Sequence, residues 1–201
     1  MLAAFVLWTL ALQRIDVQTI GPRESAVGFA TLNRFVHDLT GVHMWLYTVT
    51  DWLGLVPVCF GLGFAVAGLA QWIRRKHIRK VDHSILVLGG FYIAVMAVYI
   101  FFERVVINYR PVLIEGFLEA SYPSSTTMLV MCVMPTAVMQ LRDRIQNRHL
   151  KRWVSVAILG FTVFMVMGRL VSGVHWVTDI IGGGLCSAGL VLLYRGFVCL
   201  V

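Results

Sequence analysis

Residues 168–179 read Gly-Arg-Leu-Val-Ser-Gly-Val-His-Trp-Val-Thr-Asp and join two apolar stretches, Trp153 to Met167 and Val177 to Phe197. The polar stretch lies where two predicted helices meet and carries an arginine, a histidine and a carboxylate. An arginine offers a planar fork of donors that suits phosphate oxygens, and a histidine can act as a nucleophile. This combination predicts a phosphate site at the edge of a membrane.

The spacing of these polar residues favours a shared role. On a helix, His175 and Asp179 stand four residues apart and share one face, so the carboxylate can hold the imidazole in one tautomer. Arg169 lies upstream of both. The alternative is a set of unrelated polar residues at a helix end.

The composition indicates an all-α membrane protein. Of the 201 residues, 59% are hydrophobic and only 13% are charged, unlike a soluble domain of this size. Each apolar segment needs the others to cover its polar groups, so we expect one domain over residues 1–201, a polytopic bundle of about six transmembrane helices. Leu2 to Leu12 is too short to span alone and is interpreted as the outer half of a truncated first helix, or as a re-entrant or interfacial piece. Further predicted spans are Trp52 to Ile73, Ser84 to Phe102 and Thr126 to Leu141.

The net charge of +7 is concentrated in two short loops. Basic clusters beside spanning helices mark the cytoplasmic side and can also contact anionic lipid head groups. Neither cluster interleaves aromatic residues or carries a recognition motif, so nucleic-acid binding is not indicated. The clusters comprise Arg74, Arg75, Lys76, Arg79 and Lys80 in the first loop and Arg142, Arg144, Arg148, Lys151 and Arg152 in the second.

Alternation from these loops predicts three extracytoplasmic segments: residues 13–51, 103–125 and 168–176. The last two carry the most reactive side chains, so we expect the site on this face near head-group depth. The first is a long connecting segment that contains either an amphipathic helix on the outer face or a plain loop. The helix-like spacing comes from Phe29, Leu32, Phe35 and Val36.

The four cysteines show no metal-site pattern. They fall in apolar runs without a CxxC spacing and are interpreted as core residues: Cys59, Cys132, Cys186 and Cys199. His175 and Asp179 supply at most half the ligands that a metal site needs. We therefore expect neither a metal nor another cofactor.

Two further motifs precede the opening stretch. Residues 103–111 read Glu-Arg-Val-Val-Ile-Asn-Tyr-Arg-Pro, and residues 123–126 read Pro-Ser-Ser-Thr. Together with Arg169-x5-His175-x3-Asp179, they resemble the three-part signature of the type 2 phosphatidic acid phosphatase (PAP2) superfamily. That signature is Lys-x6-Arg-Pro, then Pro-Ser-Gly-His, then Ser-Arg-x5-His-x3-Asp, and the motifs here follow in the same order.

The resemblance implies a bacterial-type, six-helix membrane enzyme that removes phosphate from a lipid through a phosphohistidine intermediate, without a metal. His175 would be the nucleophile and Asp179 would orient it, while Arg110 and Arg169 would hold the phosphate oxygens. Free amides and a helix dipole would add donors at the start of the next helix. Those donors would come from Ser124, Ser125 and Thr126.

Two positions depart from the signature. The family's lysine falls at Glu103, and because a carboxylate repels phosphate we expect Glu103 to point away and Arg104 to be the nearest candidate cation. The family's general-acid histidine falls at Thr126, and threonine cannot supply a proton near neutral pH. Loss of a general acid typically costs about 100-fold to 10,000-fold. A phosphate leaving group needs the acid less than an alkoxide does, so Thr126 predicts a preference for lipid diphosphates over phosphomonoesters.

The leading hypothesis is an integral phosphatase of a bacterial cell membrane that acts on a lipid phosphate or lipid diphosphate at the extracytoplasmic face. One alternative is a relative that has lost the acid and binds a lipid phosphate without cleaving it. A small transporter is less favoured because the predicted spans are nearly free of charge. The sequence indicates no partner besides lipid and membrane, and no oligomeric state. Candidate substitutes for the missing acid are His37, Asp38, His43 and Asp51.

Overall fold

The computed structural model describes residues 1–199, which form eight α-helices joined by shorter connections. Two 3₁₀ turns, Pro22–Glu24 and Ile78–Lys80, lie in those connections. The predicted all-α fold is confirmed. The helices are α1 (Leu2–Leu12), α2 (Ala30–Thr40), α3 (Met44–Leu53), α4 (Leu55–Arg75), α5 (His83–Arg104), α6 (Ser125–Arg144), α7 (Arg148–Val171) and α8 (Val177–Cys199).

Four stretches are long and apolar enough to cross a membrane: Met44–Arg75, which combines α3 and α4, then α5, α7 and α8. Helix α6 contacts α4, α5, α7 and α8 and forms the centre of the bundle. Its buried Gln140 finds partners on two neighbouring helices, as membrane burial requires. Gln140 Nε2 donates to the Tyr194 hydroxyl at 2.6 Å and to the Ser84 carbonyl at 3.0 Å. The chain is thus a polytopic membrane bundle.

The two ends of the bundle differ in chemistry. The site end holds the last residues of α5 and α7 and the first residues of α6 and α8, and the basic end lies opposite. At the basic end, Asp82 accepts a hydrogen bond from Gln71 at 2.7 Å and forms ion pairs with Arg75 at 3.0 Å and Arg144 at 3.9 Å. The bond from Gln71, followed by the contacts with Arg75 and Arg144, lowers the pKa of Asp82. These contacts join the first basic loop to α4 and α6.

Helix α1 covers the site-end half of α8. Its first turn packs against Gly189, near the middle of α8. At the site end, Trp8 Nε1 donates to the Thr178 carbonyl at 3.2 Å, and the Thr9 and Tyr122 hydroxyls lie 2.7 Å apart. These contacts attach α1 to the first turn of α8 and to the loop before α6.

The connection between α1 and the first long span is more helical than the sequence predicts. Helix α2 forms where the helix-like spacing was noted, and it begins after Phe29, whose φ is 48°. Helix α3 begins at Met44 instead of Trp52 and runs into α4 through Gly54, which keeps helical angles (φ −59°, ψ −18°). The connecting segment is therefore shorter than residues 13–51.

Gly28 lies so close to the end of α1 that no side chain fits there. A Cβ at this position would stand 1.7 Å from the carbonyl oxygen of Leu12 and 2.7 Å from its carbonyl carbon. Both are backbone atoms, so relief requires α1 to move. We expect Gly28→Ala to lower the free energy of unfolding by about 1–3 kcal/mol, measured as a lower melting temperature in detergent. Gly63→Ala is the control, since nothing lies within 4 Å of its Cβ; equal melting of the two variants would contradict the prediction.

Candidate active site

The loop between α5 and α6 presents two polar side chains together. An antiparallel bridge pairs its two halves. The Arg110 amide donates to the Glu119 carbonyl at 3.1 Å, and the Ser121 amide donates to the Asn108 carbonyl at 2.9 Å. This pairing fixes the register of the loop, and the side chains of Arg110 and Ser121 both reach His175.

His175 lies in the loop before α8, not on a helix. Gly173 turns this loop with a φ of 68°, and a Cβ there would lie 1.9 Å from a backbone oxygen of the α2–α3 connection. Asp179 lies in the first turn of α8, and its carboxylate accepts a hydrogen bond from the Trp176 amide at 2.9 Å, which caps the helix. The expectation that His175 and Asp179 share one helix face is therefore wrong, because α8 begins only after His175.

Ser121 stands between the imidazole and the carboxylate. The direct distance from His175 Nδ1 to Asp179 Oδ2 is 3.9 Å, whereas Ser121 Oγ lies 3.0 Å from Nδ1 and donates to Oδ2. Arg110 NH1 lies 3.4 Å from Nε2 of His175. Because a guanidinium only donates, Nε2 is the unprotonated nitrogen, and Nδ1 carries the proton that it donates to Ser121. The chain Asp179–Ser121–His175 thus selects the tautomer whose Nε2 can attack.

His175 is uncharged at neutral pH. Its side chain is buried, and this burial, followed by the charges of Arg110 and Arg169, holds the pKa of His175 well below its usual range. The Nε2 lone pair is therefore available. Asp179, also fully buried, accepts a further hydrogen bond from Asn108 Nδ2 at 3.4 Å.

Arg110 and Arg169 share the ring of Tyr47. The guanidinium carbon of Arg169 lies 4.8 Å from the ring centroid and that of Arg110 lies 5.8 Å from it, within cation–π range. Each arginine also has a carboxylate neighbour: Asp51 lies 3.3 Å from Arg169 NH2, and Glu119 lies 3.1 Å from Arg110 Nε. Tyr47 and the two carboxylates together allow two like charges to stand close together.

Several buried donors in and behind this cluster have no hydrogen-bond partner within residues 1–199. Arg110 Nε is in ion-pair range of Glu119 but is not aligned for a hydrogen bond. Because buried donors are rarely left unpaired, the set suits an anion bound between the arginines. The donors are Arg110 Nε, Arg169 Nε, Ser124 Oγ and Thr127 Oγ1. No cluster of three or more metal-ligating side chains occurs in the same part of the chain.

The N-terminus of α6 lies beside Asp179. The Ser124 amide donates to the Asp179 backbone carbonyl at 3.1 Å and is therefore occupied. The amides of Ser125 and Thr126 belong to the first turn of α6, where the helix leaves its amides without internal partners. This end of α6 is suited to an anion.

A narrow cavity leads to His175, and its wall includes Tyr99 and Glu103. Glu103 is exposed and His175 is 3% exposed, so Glu103 stands at the rim and His175 at the floor. The expectation that Glu103 points away from the site is wrong. Glu103 follows Tyr99 by one helical turn and shares its face of α5, whereas Arg104 is exposed and is not part of this wall.

A groove of about 250 Å³ adjoins the cavity. Thr126, at the position of the family's acid, lines it together with Asp51. Its remaining wall is largely apolar, so the groove offers a polar end and an apolar body. The apolar side chains are Val95, Met96, Met128 and Leu129.

The histidines of the connecting segment do not enter the cavity. His43 is exposed and its Nε2 is bonded to the Thr40 carbonyl at 3.0 Å. The His37 ring packs against Trp176 with 5.5 Å between centroids. Asp38 is exposed on α2. Of the four candidate substitutes for the missing acid, only Asp51 borders the site.

Sequence reasoning missed three residues that organise the site. Ser121 and Asn108 lie in the motif-bearing loop, and their polar side chains between apolar neighbours were a usable signal. Tyr47 gave no signal, since its contact with both arginines depends on how α3 meets α7.

The fold and the buried Arg–His–Ser–Asp cluster define a polytopic helical membrane protein with a polar site at one end of the bundle. Residues 107–198 match the family model described as "PAP2 superfamily". The matched stretch carries Arg110, His175 and Asp179, so the polar site lies in the part of the chain that is similar to the PAP2 superfamily.

A solved structure has the same fold. It is described as the crystal structure of the first transmembrane PAP2 type phosphatidylglycerolphosphate phosphatase from Bacillus subtilis. The two chains superpose with a TM-score of 0.64 at 20% identity, covering 99% of this chain and 96% of the other. No curated protein sequence matches.

Proposed function

We propose that this protein removes the terminal phosphate from a lipid phosphate or lipid diphosphate through a phosphohistidine intermediate on His175, without a metal. The observation that carries the proposal is the set of contacts around His175, from which we infer its tautomer. Its Nδ1 proton is held by Ser121 and Asp179, and its Nε2 faces Arg110. A neutral, oriented imidazole beside two arginines is the arrangement that attack on phosphorus requires.

Each residue of the cluster has a part in this reaction. Nε2 of His175 attacks phosphorus, and Asp179, acting through Ser121, stabilises the positive charge that develops on the ring. Arg110 and Arg169 bind the phosphate oxygens and stabilise the transition-state charge. The amides of Ser125 and Thr126 and the hydroxyl of Ser124 add donors. Water then attacks phosphorus and releases inorganic phosphate and free His175.

The proposed substrate is a lipid that enters the site from the membrane. The groove beside the cavity has a polar end at Thr126 and apolar walls, which suits a phosphorylated head group followed by an acyl or prenyl chain. The basic loops lie at the opposite end of the bundle, and by the positive-inside rule this supports a site on the extracytoplasmic face. The proposed location is a bacterial cell membrane. The phosphatase activity named for the Bacillus subtilis neighbour is compatible with this substrate class.

A second candidate function is binding of a lipid phosphate without cleavage. It is favoured by one observation, the threonine at position 126 where the family has its general acid. Such a protein would keep Arg110 and Arg169 and lose turnover.

The two functions are separated by phosphate release from a panel of lipid phosphates and lipid diphosphates, assayed with purified protein in detergent containing EDTA. We expect release above protein-free micelles from at least one member of the panel. Binding of a lipid phosphate without release from any member would overturn the phosphatase proposal and support the binding function.

A further inference from the structure

We propose that Glu103 is the general acid of this site and replaces the histidine whose position is occupied by Thr126. The proposal rests on the phosphatase function proposed above and extends it to the departure of the leaving group. The observation behind it is that Glu103 and His175 line the same cavity.

We infer that Glu103 stands on the leaving-group side of a substrate held against His175. His175 forms the floor of the cavity and Glu103 stands at its rim. In phosphoryl transfer the attacking and leaving atoms lie roughly in line on opposite sides of phosphorus. With Nε2 attacking from the floor, the leaving oxygen points to the rim, where a carboxyl group can protonate it.

The other acidic groups near the site are engaged. Asp51 is paired with Arg169 at 3.3 Å, and Glu119 with Arg110 at 3.1 Å. Asp179 accepts hydrogen bonds behind the imidazole and faces away from the cavity. Glu103 forms no ion pair within residues 1–199, and its side-chain neighbour is the Tyr99 hydroxyl one helical turn away.

The charge of the substrate favours the required protonation state. A bound phosphate dianion beside a carboxyl group favours the protonated acid, because two like charges repel. Glutamate at position 103 and threonine at position 126 are therefore matched changes, one supplying the proton that the other cannot.

The proposed step is balanced in atoms and charge. Nε2 of His175 forms a bond to phosphorus as the bond from phosphorus to the leaving oxygen breaks, and the Glu103 proton passes to that oxygen to give the free alcohol. In the second half, water attacks phosphorus and its proton passes to the Glu103 carboxylate. The bond from phosphorus to Nε2 breaks, and phosphate leaves.

With Glu103 in this role, the wild-type enzyme cleaves lipid phosphomonoesters. Thr126 alone would predict a preference for lipid diphosphates. We then expect that preference only in a variant that lacks the Glu103 proton, such as Glu103→Gln.

The test compares substrates whose leaving groups differ in their need for an acid. Wild type, His175→Ala and Glu103→Gln are assayed on dioctanoyl phosphatidic acid, which has an alkoxide leaving group, and on p-nitrophenyl phosphate, which has a stabilised phenolate. We expect Glu103→Gln to lose about 100-fold or more in kcat on the lipid and less than about 3-fold on the aryl phosphate, which needs no acid. Retained aryl phosphatase activity also shows that the variant is folded.

Glu115→Gln, the same chemical change at an exposed position of the loop that follows α5, is expected to leave both activities unchanged. Equal losses on the two substrates, or no loss on the lipid, would overturn the role of Glu103. Wild-type rates no higher than those of His175→Ala on both substrates would instead overturn the phosphatase function itself.

Discussion

Replacing His175 by alanine is expected to lower phosphate release by about 10,000-fold or more, the largest effect of any single change in this chain. The reason is that Nε2 of His175, which faces Arg110 while Ser121 holds Nδ1, is the proposed nucleophile. Without it, the arginines can still bind phosphate but nothing forms the covalent intermediate. The measurement is the initial rate of phosphate release from dioctanoyl phosphatidic acid in micelles.

The same variant tests the chemical identity of the intermediate. Wild-type protein quenched during turnover of a ³²P-labelled lipid phosphate should carry label that survives alkali and is lost in acid, as expected for phosphorus bound to nitrogen. His149→Ala, which alters an exposed histidine at the basic end, should be labelled like the wild type. Label on His175→Ala at the wild-type level would exclude His175 as the attachment point.

Replacing Asp179 by asparagine is expected to lower kcat by about 1,000-fold to 10,000-fold with little change in KM. All the groups that contact the carboxylate oxygens are donors: the Ser121 hydroxyl, the Trp176 amide and Asn108 Nδ2. An asparagine has one acceptor oxygen and one donor group, so one of these donors must turn away. When Ser121 turns, the proton on His175 Nδ1 is no longer held, and the Nε2 tautomer is lost.

The matched control is Asp143→Asn at the basic end, an exposed carboxylate, which should retain wild-type rates. A pure KM effect in Asp179→Asn would contradict the orienting role. To separate chemistry from stability, the melting temperature of Asp179→Asn in detergent should be compared with that of the wild type.

The helices of the bundle could be predicted from the sequence because their signal is local. Apolar length and basic flanking loops are read from consecutive residues, and the spans over α5, α7 and α8 follow them closely. The start of α3 was misplaced for the same reason. The apolar run was expected to start at Trp52, whereas the helix begins at Met44 and the backbone passes through Gly54 in helical conformation.

The motif spacing indicated which residues to group but not how they touch. Glu103 lines the cavity because of the rotation of α5 against α6, which the sequence does not specify. From its charge alone, we expected its side chain to face away from the site. Ser121 enters between His175 and Asp179 because the bridged loop brings it there from a distant part of the chain. Contacts of this kind are set by tertiary packing, which a single sequence does not specify.

The attachment of α1 to the site end has a consequence for biogenesis. Trp8 and Thr9 of α1 contact Thr178 and Tyr122, and Thr178 belongs to α8, which is synthesised after the other seven helices. These contacts close only when α8 has inserted next to α1, since contacts of large sequence separation must wait for both partners. The polar site therefore matures only after α8 has been made and inserted, and chains stopped before that point hold His175 without its finished surroundings.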